Sequence, residues 1–425
     1  MAKIINRLRK SKDARTLISN FIYLSLLKGV TVLFPIITLP YLAKTIGPGK
    51  FGTIAFASSI MVIVETITDW GFNYTATRDV AVNREDKKYV SDIYSQVLFS
   101  RITLTVICFT ILYTCIQVIP FLKQYEAVLL ITFLYIPGNI IYPQWLFQAL
   151  EKMRYITILT LIARIIFTVL VFVLIKKESD YILEPLLTAG GYIVSGIIAQ
   201  IIIVKQFGVR IRFQKFKSIY SRLRESTDMF ICLLLPNLYN NLTTIILNSF
   251  CGQTATGIYN AGQKLQNIVD NFTAILSRVF FPFLARHREK HHIYVMISGG
   301  IALIASIGMF FGAQLFIDVF LTPEFNQAII VMRIFAVTPI LMFLMNTYGT
   351  NYLVLIGKER ISRNITLISS ITGFILTWII TPLYSFIGAA ITVTVSRSIN
   401  GVSTYIYANK EKRQLQVIDK SNYGN

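Results

Sequence analysis

The chain has 425 residues, of which 54% are hydrophobic and only 15% are charged, and its net charge is +20. Soluble domains are about 45–50% apolar and about 25% charged, so this composition excludes an ordinary soluble enzyme. A mean hydropathy of +0.60 and apolar runs along the whole length indicate an integral membrane protein.

The apolar runs predict twelve transmembrane helices, because a bilayer core offers no water to backbone groups. The first run starts at Leu17 and continues past Ala43, which is longer than the roughly 7–15 residues of a cleaved signal peptide, so it is predicted to be a retained helix. The predicted spans are Leu17–Ala43, Phe51–Tyr74, Gln96–Ile119, Ala127–Leu150, Ile156–Ile175, Leu183–Val204, Met229–Phe250, Ala255–Leu284, Ile293–Val319, Gln327–Ile356, Ile361–Thr381 and Phe386–Ala408.

Between the first two spans lies the glycine-rich stretch "TIGPGKFGT", residues 45–53. A phosphate-binding Walker loop needs G-x-x-x-x-G-K-[ST], and here Lys50 precedes the second glycine of "GKFG" and is not directly followed by Ser or Thr. The spacing therefore excludes a nucleotide-binding loop of this type. We expect a tight turn instead, made by Gly47, Pro48 and Gly49.

The basic residues predict the topology. With the N-terminus in the cytosol, the segments on the inner side hold 29 of the 41 Lys and Arg residues, and the outer loops hold 5. Such an asymmetry is typical of the positive-inside rule and predicts that both termini are cytosolic. Basic loops against an anionic leaflet also account for the net charge without nucleic acid as a partner.

The chain is predicted to consist of two repeats of a six-helix unit. A basic cytosolic linker, residues 205–227, separates a six-helix lobe at 1–204 from a second six-helix lobe at 228–408, and a cytosolic tail follows at 409–425. The turn containing Gly257 aligns with the turn containing Gly52 at an offset of 205 residues. Two lobes of equal orientation are typical of transporters that bind substrate between them.

Seven basic residues fall inside the predicted helices, where a charge costs at least about 2.5–3.5 kcal/mol at the centre. The acids inside the helices are too few to neutralise them, so the excess predicts an anionic ligand such as a phosphate or pyrophosphate. Internal pairing is the alternative, and it is favoured for the three residues that lie near helix ends. The deep residues are Lys28, Arg164, Lys264 and Arg397, and those near the ends are Arg101, Arg278 and Arg333.

Three asparagines share one face of the seventh span, because Asn237, Asn240 and Asn241 have i, i+3, i+4 spacing. Amide side chains can hydrogen-bond sugar hydroxyls, so we predict Asn237 and Asn241 to contact a polyhydroxyl substrate. Bonding between helices is an equally good explanation.

The sequence contains no nucleotide motif and predicts no cofactor, so an ion gradient is the expected energy source. Glu65 and Asp69 share a face of the second span, and Asp270 lies in the eighth; each is a candidate for coupling H⁺ or Na⁺. Pairing of Asp69 with Arg78 or Arg101 is the alternative. The histidine-containing "RHREKHH" is predicted to be a solvated basic loop and not a metal site.

Several stretches together resemble the Wzx-type O-antigen and polysaccharide-unit flippases of the multidrug/oligosaccharidyl-lipid/polysaccharide export superfamily. These are "LPYLAKTIGPGKFGTIAFASSI", "DWGFNYTATRDVAVNREDKK", "YPQWLFQALEKMRYITI" and "GIYNAGQKLQNIVDNFTAILSRVFFPFLAR". The most specific part comprises Asp69, Gly71, Arg78 and Asp79 with the stretch from Trp145 to Met153.

The resemblance implies an all-α, V-shaped, MATE-like fold of two six-helix lobes with a cationic lumen. It implies transport of an undecaprenyl-pyrophosphate-linked oligosaccharide from the cytosolic to the periplasmic leaflet of the bacterial inner membrane. The expected partners are this lipid-linked oligosaccharide, membrane lipids, and the polymerase and chain-length proteins of the same pathway.

Three other functions are the alternatives to this one. A polysaccharide polymerase is an enzyme that usually needs a sizeable outer loop with catalytic residues, and every outer loop predicted here is short. A drug exporter for organic cations is expected to have an acidic or aromatic cavity, and a lipid II flippase of the superfamily typically carries extra C-terminal helices.

Overall fold

The computed structural model describes residues 12–286 and 290–422, and every regular element in these two ranges is a helix. The helices are α1 Lys12–Asp69, α2 Phe72–Val82, α3 Lys87–Val118, α4 Pro120–Lys123, α5 Glu126–Phe133, α6 Tyr135–Ile141, α7 Gln144–Ala149, α8 Met153–Leu174, α9 Leu183–Lys205, α10 Phe216–Arg286, α11 His291–Phe320, α12 Ala328–Phe335, α13 Thr338–Leu344 and α14 Glu359–Asn422, with 3₁₀ turns at Glu178–Ile182 and Pro323–Phe325 and a π-helix at Met345–Leu353.

The protein is a multi-pass membrane protein, and the predicted all-helical class is confirmed. Within the described ranges, eight stretches are long and apolar enough to cross a bilayer. Two of them, Leu33–Val82 and Arg360–Gln414, have 50 and 55 residues, more than twice the roughly 20 that one crossing needs. The first is interrupted by non-helical geometry at Gly47 and again at Trp70 and Gly71, and the second is interrupted at Ser385. The count of twelve spans stays a prediction.

The glycine-rich stretch between the first two predicted spans is a kink of one residue. Helix continues on both sides, and only Gly47 departs from it, with φ 67° and ψ 173°. A positive φ of this kind is accessible to glycine without steric cost. Pro48 follows at the start of the next helical segment, where its missing N–H is not needed. The expected three-residue turn at 47–49 is therefore wrong in its extent.

The same kink recurs 205 residues later. Gly252 has φ 84° and ψ 179° inside α10, nearly the values of Gly47 in α1. The two kinked segments also touch: a Cβ on Gly52 would lie 1.9 Å from the Gln253 carbonyl oxygen, and a Cβ on Gly257 would lie 1.9 Å from that of Pro48. The two kinks thus have matching backbone geometry, and the duplication of the chain stays a prediction.

The chain divides into two compact units. The first comprises the described residues up to Ile46 together with Ala57–Asn237, and the second comprises Gly47–Phe56 together with the described residues from Leu238 onwards. The predicted lobe boundaries at 204 and 228 stay predictions. The contact between the two kinked segments belongs to the second unit, because that unit includes Gly47–Phe56.

The core of the first unit positions its polar residues. Phe72, Tyr94, Trp145 and Phe147 are fully buried in one apolar cluster, which joins α2, α3 and α7. The fourth predicted span, which contains Pro137, is broken into α5, α6 and α7. Proline cannot donate a backbone hydrogen bond and interrupts regular helix. The breaks bring the short helix α6 to the polar cluster described below.

Candidate functional site

A buried hydrogen-bond network surrounds Glu65 in the first unit. The Tyr135 hydroxyl and the Asn139 side-chain amide each donate to Oε1 of Glu65, both at 2.9 Å. Nη2 of Arg101 donates to Oδ1 of the same asparagine at 2.7 Å. The amide therefore stands between the carboxylate and the guanidinium, and links them without a direct ion pair.

Asp69 lies one helical turn after Glu65 at the end of α1. Its carboxylate lies close to the backbone N–H groups of Gly71 and Asn73 and in the field of Arg101. Trp70 and Gly71 both have positive φ, so the chain turns here before α2 begins. An anion at a helix N-terminus is a favourable arrangement. Oδ1 of Asp69 is buried and has no hydrogen-bond partner among the described residues.

Arg101 itself is buried to 3% exposure, and its Nε has no hydrogen-bond partner in the described part of the chain. The desolvation free energy of this buried charge is offset by the hydrogen bond to Asn139 and by the field of the two nearby carboxylates, Glu65 and Asp69. For Arg101, the structure favours interaction with protein groups over contact with an anionic ligand.

Glu65, Arg101 and a third charged residue, Arg78, line a cavity of about 640 Å³ in the first unit. The rest of its lining is polar and aromatic. Asn73, Gln144 and Gln148 contribute amides, while Tyr74, Tyr142, Trp145 and Tyr192 contribute rings. A cavity that combines rings with a few convergent polar groups is the usual form of a small-molecule site.

Arg164 lies next to this cavity. It is half-buried on α8 and lines a smaller cavity between α8 and α9, together with Thr160, Thr188 and Ser195. Tyr142 and Tyr192 line both cavities. No carboxylate in the described ranges pairs with Arg164, which is in electrostatic contact with the Tyr192 hydroxyl.

Comparison with known proteins identifies the family. The family model described as "Polysaccharide biosynthesis protein" matches residues 17–288, well over half of the chain. The chain belongs to this polysaccharide biosynthesis protein family. An Escherichia coli (strain K12) relative named "Putative O-antigen transporter" is 28% identical over 385 residues, covering 88% of this chain and 92% of the relative.

Solved transporters share the fold of this family member. "Lipid II flippase MurJ, inward closed conformation" has a TM-score of 0.75 at 12% identity, covering 92% of this chain and 87% of that one. A multidrug resistance MATE family transporter of the MOP superfamily in an inward-facing conformation has a TM-score of 0.67 at 14% identity, covering 93% and 99%. The resemblance to Wzx-type flippases of this superfamily is confirmed.

The second unit of this polysaccharide biosynthesis protein contains another buried polar cluster. Nη1 of Arg397 and Oδ2 of Asp270 form an ion pair at 2.6 Å, and both side chains are largely buried. The Gln266 amide donates to the same carboxylate oxygen at 3.0 Å. Arg397 is thus paired internally in this structure, which was the alternative to its predicted contact with substrate.

Other predicted basic residues contact aromatic rings. Nζ of Lys264 lies 4.5 Å from the centroid of the Phe51 ring, and the Arg333 guanidinium lies 5.7 Å from that of Phe310. Both cations are exposed. Cation–π contacts stabilise a positive charge without an acid. The side chains of Lys28 and Arg278 lie outside the described residues, and the substrate contacts predicted for all four residues stay predictions.

The predicted asparagine face is partly used between helices. Nδ2 of Asn237 donates to Oγ1 of Thr66 at 3.0 Å, which ties α10 to α1. Asn240 and Asn241 are half-buried. Their contact with a sugar stays a prediction.

The histidine-containing stretch was predicted to be a solvated basic loop, which is wrong for His291 and His292, because these residues begin α11 and His291 is half-buried. His287 lies outside the described residues, and Nε2 of His291 lies 3.1 Å from the Thr347 carbonyl oxygen. The described part of the chain contains no group of three metal-binding side chains.

The sequence-based prediction missed Tyr135, Asn139, Gln144 and Gln148. Tyr135 and Asn139 are four residues apart in a broken span, so their common face is a detectable signal. Gln144 and Gln148 have the same spacing and flank Trp145 in a stretch that had been noted only for its family resemblance.

Proposed function

We propose that the chain is a flippase, which moves a lipid-linked oligosaccharide, such as an undecaprenyl-pyrophosphate-linked repeat unit, from the cytosolic to the periplasmic leaflet. The observation that carries the proposal is a polar and aromatic cavity inside a membrane protein of the polysaccharide biosynthesis family. The E. coli relative with a transporter name and the transporter fold support it. We place the protein in the inner membrane with both termini in the cytosol, as its basic loops predict.

The cavity in the first unit suits a sugar. Asn73, Gln144 and Gln148 offer both donors and acceptors, which match hydroxyl groups. The exposed ring of Tyr74 offers an apolar face against which a pyranose ring can pack. The excess of cations suits the pyrophosphate, and Arg164 is the best candidate because no described carboxylate occupies it. Lys28, Lys264 and Arg397 remain candidates, and Arg397 would first have to separate from Asp270.

Ion coupling is proposed at Glu65 and Asp69. Glu65 receives its hydrogen bonds from two neutral side chains, so protonation of the carboxylate breaks no direct ion pair. Loss of its charge weakens the attraction that holds Arg101 toward the cluster, and frees that cation for an anionic ligand. A proton or Na⁺ bound here would thus favour binding of the pyrophosphate. Asp270 is the less suitable candidate because its charge is shared directly with Arg397.

The proposal is tested in cells that depend on the protein for their surface polysaccharide. We expect Arg164→Gln to reduce the polymer and to leave lipid-linked repeat units on the cytosolic leaflet. Arg154→Gln is the matched control, because Arg154 is an exposed cation on the same helix whose guanidinium contacts Tyr155. Full polymer in cells that lack the protein altogether would refute the proposed function.

A further inference from the structure

The segment that joins α9 to α10 is docked along α3 by its backbone. Residues 206–215 form neither helix nor strand. The N–H of Arg210 donates to Oγ of Ser91 at 3.1 Å, and the N–H of Arg212 donates to Oγ of Ser95 at 2.9 Å. These serines lie one turn apart on α3, so the segment runs beside that helix in a fixed register.

The docked segment leaves its largest apolar side chains uncovered. Phe213 is 90% exposed and Phe216 is 76% exposed, and Ile211 and Tyr220 are exposed by more than half. Phe207, a few residues earlier, packs against Phe147 and Tyr155 instead. The exposed apolar side chains are therefore those of Ile211, Phe213, Phe216 and Tyr220, and not every apolar side chain of the segment is exposed. Contiguous exposed apolar side chains usually mark a surface that is covered by a partner or by lipid.

The position of Phe213 along α3 identifies what covers it. Its ring centroid lies 6.2 Å from that of Phe99. The sequence of α3 is polar over Lys87–Gln96, "KKYVSDIYSQ", and becomes apolar from Val97, "VLFSRITLTV". Beyond this point Ile102 and Val106 are exposed apolar residues of a membrane-spanning helix. Phe213 therefore lies at the level where α3 enters the hydrocarbon, which is where aromatic side chains are enriched in membrane proteins.

The charge of the segment fits an anionic surface. Residues 205–227 contain seven Lys and Arg residues and one acid, Glu225. Arg222 is buried in a pair with Asp79, and Arg212 pairs with Asp92. Arg210, Lys215, Lys217 and Arg224 remain exposed beside the uncovered aromatic side chains. Exposed cations next to apolar side chains are typical of interfacial segments that bind anionic lipid.

We propose that Arg210–Arg224 is an interfacial anchor, in which Ile211, Phe213, Phe216 and Tyr220 enter the headgroup region while the exposed cations contact anionic lipid phosphates. The occupant of this surface is the bilayer and not a protein. The anchor holds the start of α10 at the membrane surface, and this role is independent of which substrate is transported.

Site-directed spin labels on the full-length protein in lipid nanodiscs test the anchor. Labels at Phe213→Cys and Phe216→Cys, in a background without the four native cysteines, report their collision rates with oxygen and with a water-soluble nickel chelate. We expect both labels to favour oxygen, as the lipid-facing reference Val106→Cys does. The reference Lys88→Cys, at the exposed polar end of α3, should favour nickel. Values at 213 and 216 equal to that of Lys88→Cys would overturn the proposal, and so would burial from both reagents, which indicates a protein partner.

A second arm tests the charge. The label at position 213 should lie deeper in nanodiscs with anionic lipid than in purely zwitterionic ones. Lys215→Gln combined with Lys217→Gln should remove most of this difference, whereas Lys44→Gln, an exposed cation on α1, should not change it. Equal depth in both lipids for the unsubstituted anchor would show that anionic headgroups are not its ligand.

Discussion

The two buried carboxylate clusters differ in how the acid meets its arginine. Asp270 lies 205 residues after Glu65, the same offset that separates the kinks at Gly47 and Gly252. In the second unit, Arg397 contacts Asp270 directly at 2.6 Å. In the first unit, Asn139 separates Arg101 from Glu65.

This difference has a physical consequence. A direct buried ion pair has almost no net charge. Loss of one partner is strongly destabilising, because it leaves an uncompensated charge in the interior. The bridged cluster has no such pair, so a change at Glu65 leaves no directly paired cation behind. Buried atoms without a hydrogen-bond partner among the described residues occur in both clusters, at Nε of Arg101 and Oδ1 of Asp69 and at Oδ1 of Asp270 and Oε1 of Gln266, so they do not distinguish the two. We infer that the Asp270 cluster stabilises the fold, whereas the Glu65 cluster binds and releases ions.

The largest effect on stability is expected at the direct pair. Arg397→Met leaves Asp270 buried without its cation, and loss of one member of such a pair costs about 3–5 kcal/mol. The measurement is the thermal midpoint of the purified protein in detergent. Arg397→Met combined with Asp270→Asn should recover most of the loss, because no charge is left unpaired. If the double variant were as unstable as Arg397→Met, the proposed difference between the two clusters would be wrong.

A smaller loss of stability is expected at the bridge of the first cluster. Asn139→Leu removes the group that hydrogen-bonds both Arg101 and Glu65, but Tyr135 still donates to Glu65, so only Arg101 loses its hydrogen-bond partner and the expected cost is about 1–3 kcal/mol. The same thermal assay measures it. A loss as large as that of Arg397→Met would indicate that the bridged cluster is also a rigid structural element.

The acid of the first cluster should matter more for transport than for stability. Glu65→Gln is nearly isosteric and can still accept from Tyr135, so a change of only about 1 kcal/mol in stability is expected. Transport should no longer respond to an ion gradient, since the amide does not titrate. Surface polysaccharide is scored together with the amount of protein in the membrane, and normal polymer would argue against a coupling role.

The smallest change in stability is expected at Arg164. This side chain has no carboxylate partner among the described residues, so Arg164→Gln should alter the unfolding free energy by no more than about 0.5 kcal/mol. Polymer yield should fall all the same, because the substitution removes the cation beside the cavity. A destabilised Arg164→Gln would show that the residue has a structural role.

Much of the fold could be predicted from the sequence. Apolar length predicts helices in a bilayer, and the acids Glu65, Asp69 and Asp270 stand out because charges are rare in such segments. The offset of 205 residues at Gly52 and Gly257 was visible in the alignment of two short turns, and the kinks at Gly47 and Gly252 agree with it.

The partners of those charges could not be predicted. Whether Arg397 meets Asp270 or a ligand depends on how α10 and α14 rotate and pack, which hydropathy does not specify. Lys264 and Arg333 contact aromatic rings. A prediction that considers only acids as partners of a cation does not find such contacts. Tyr135 and Asn139 reach Glu65 because helix breaks, one of them beside Pro137, reposition α6.

The central claim is tested most directly by transport of a lipid-linked oligosaccharide in proteoliposomes with an imposed H⁺ or Na⁺ gradient. We predict that the unsubstituted protein moves the lipid faster when the gradient is present. Asp270→Asn combined with Arg397→Met should retain this response, whereas Glu65→Gln should lose it. Gradient-dependent transport by Glu65→Gln at the unsubstituted rate would contradict the account.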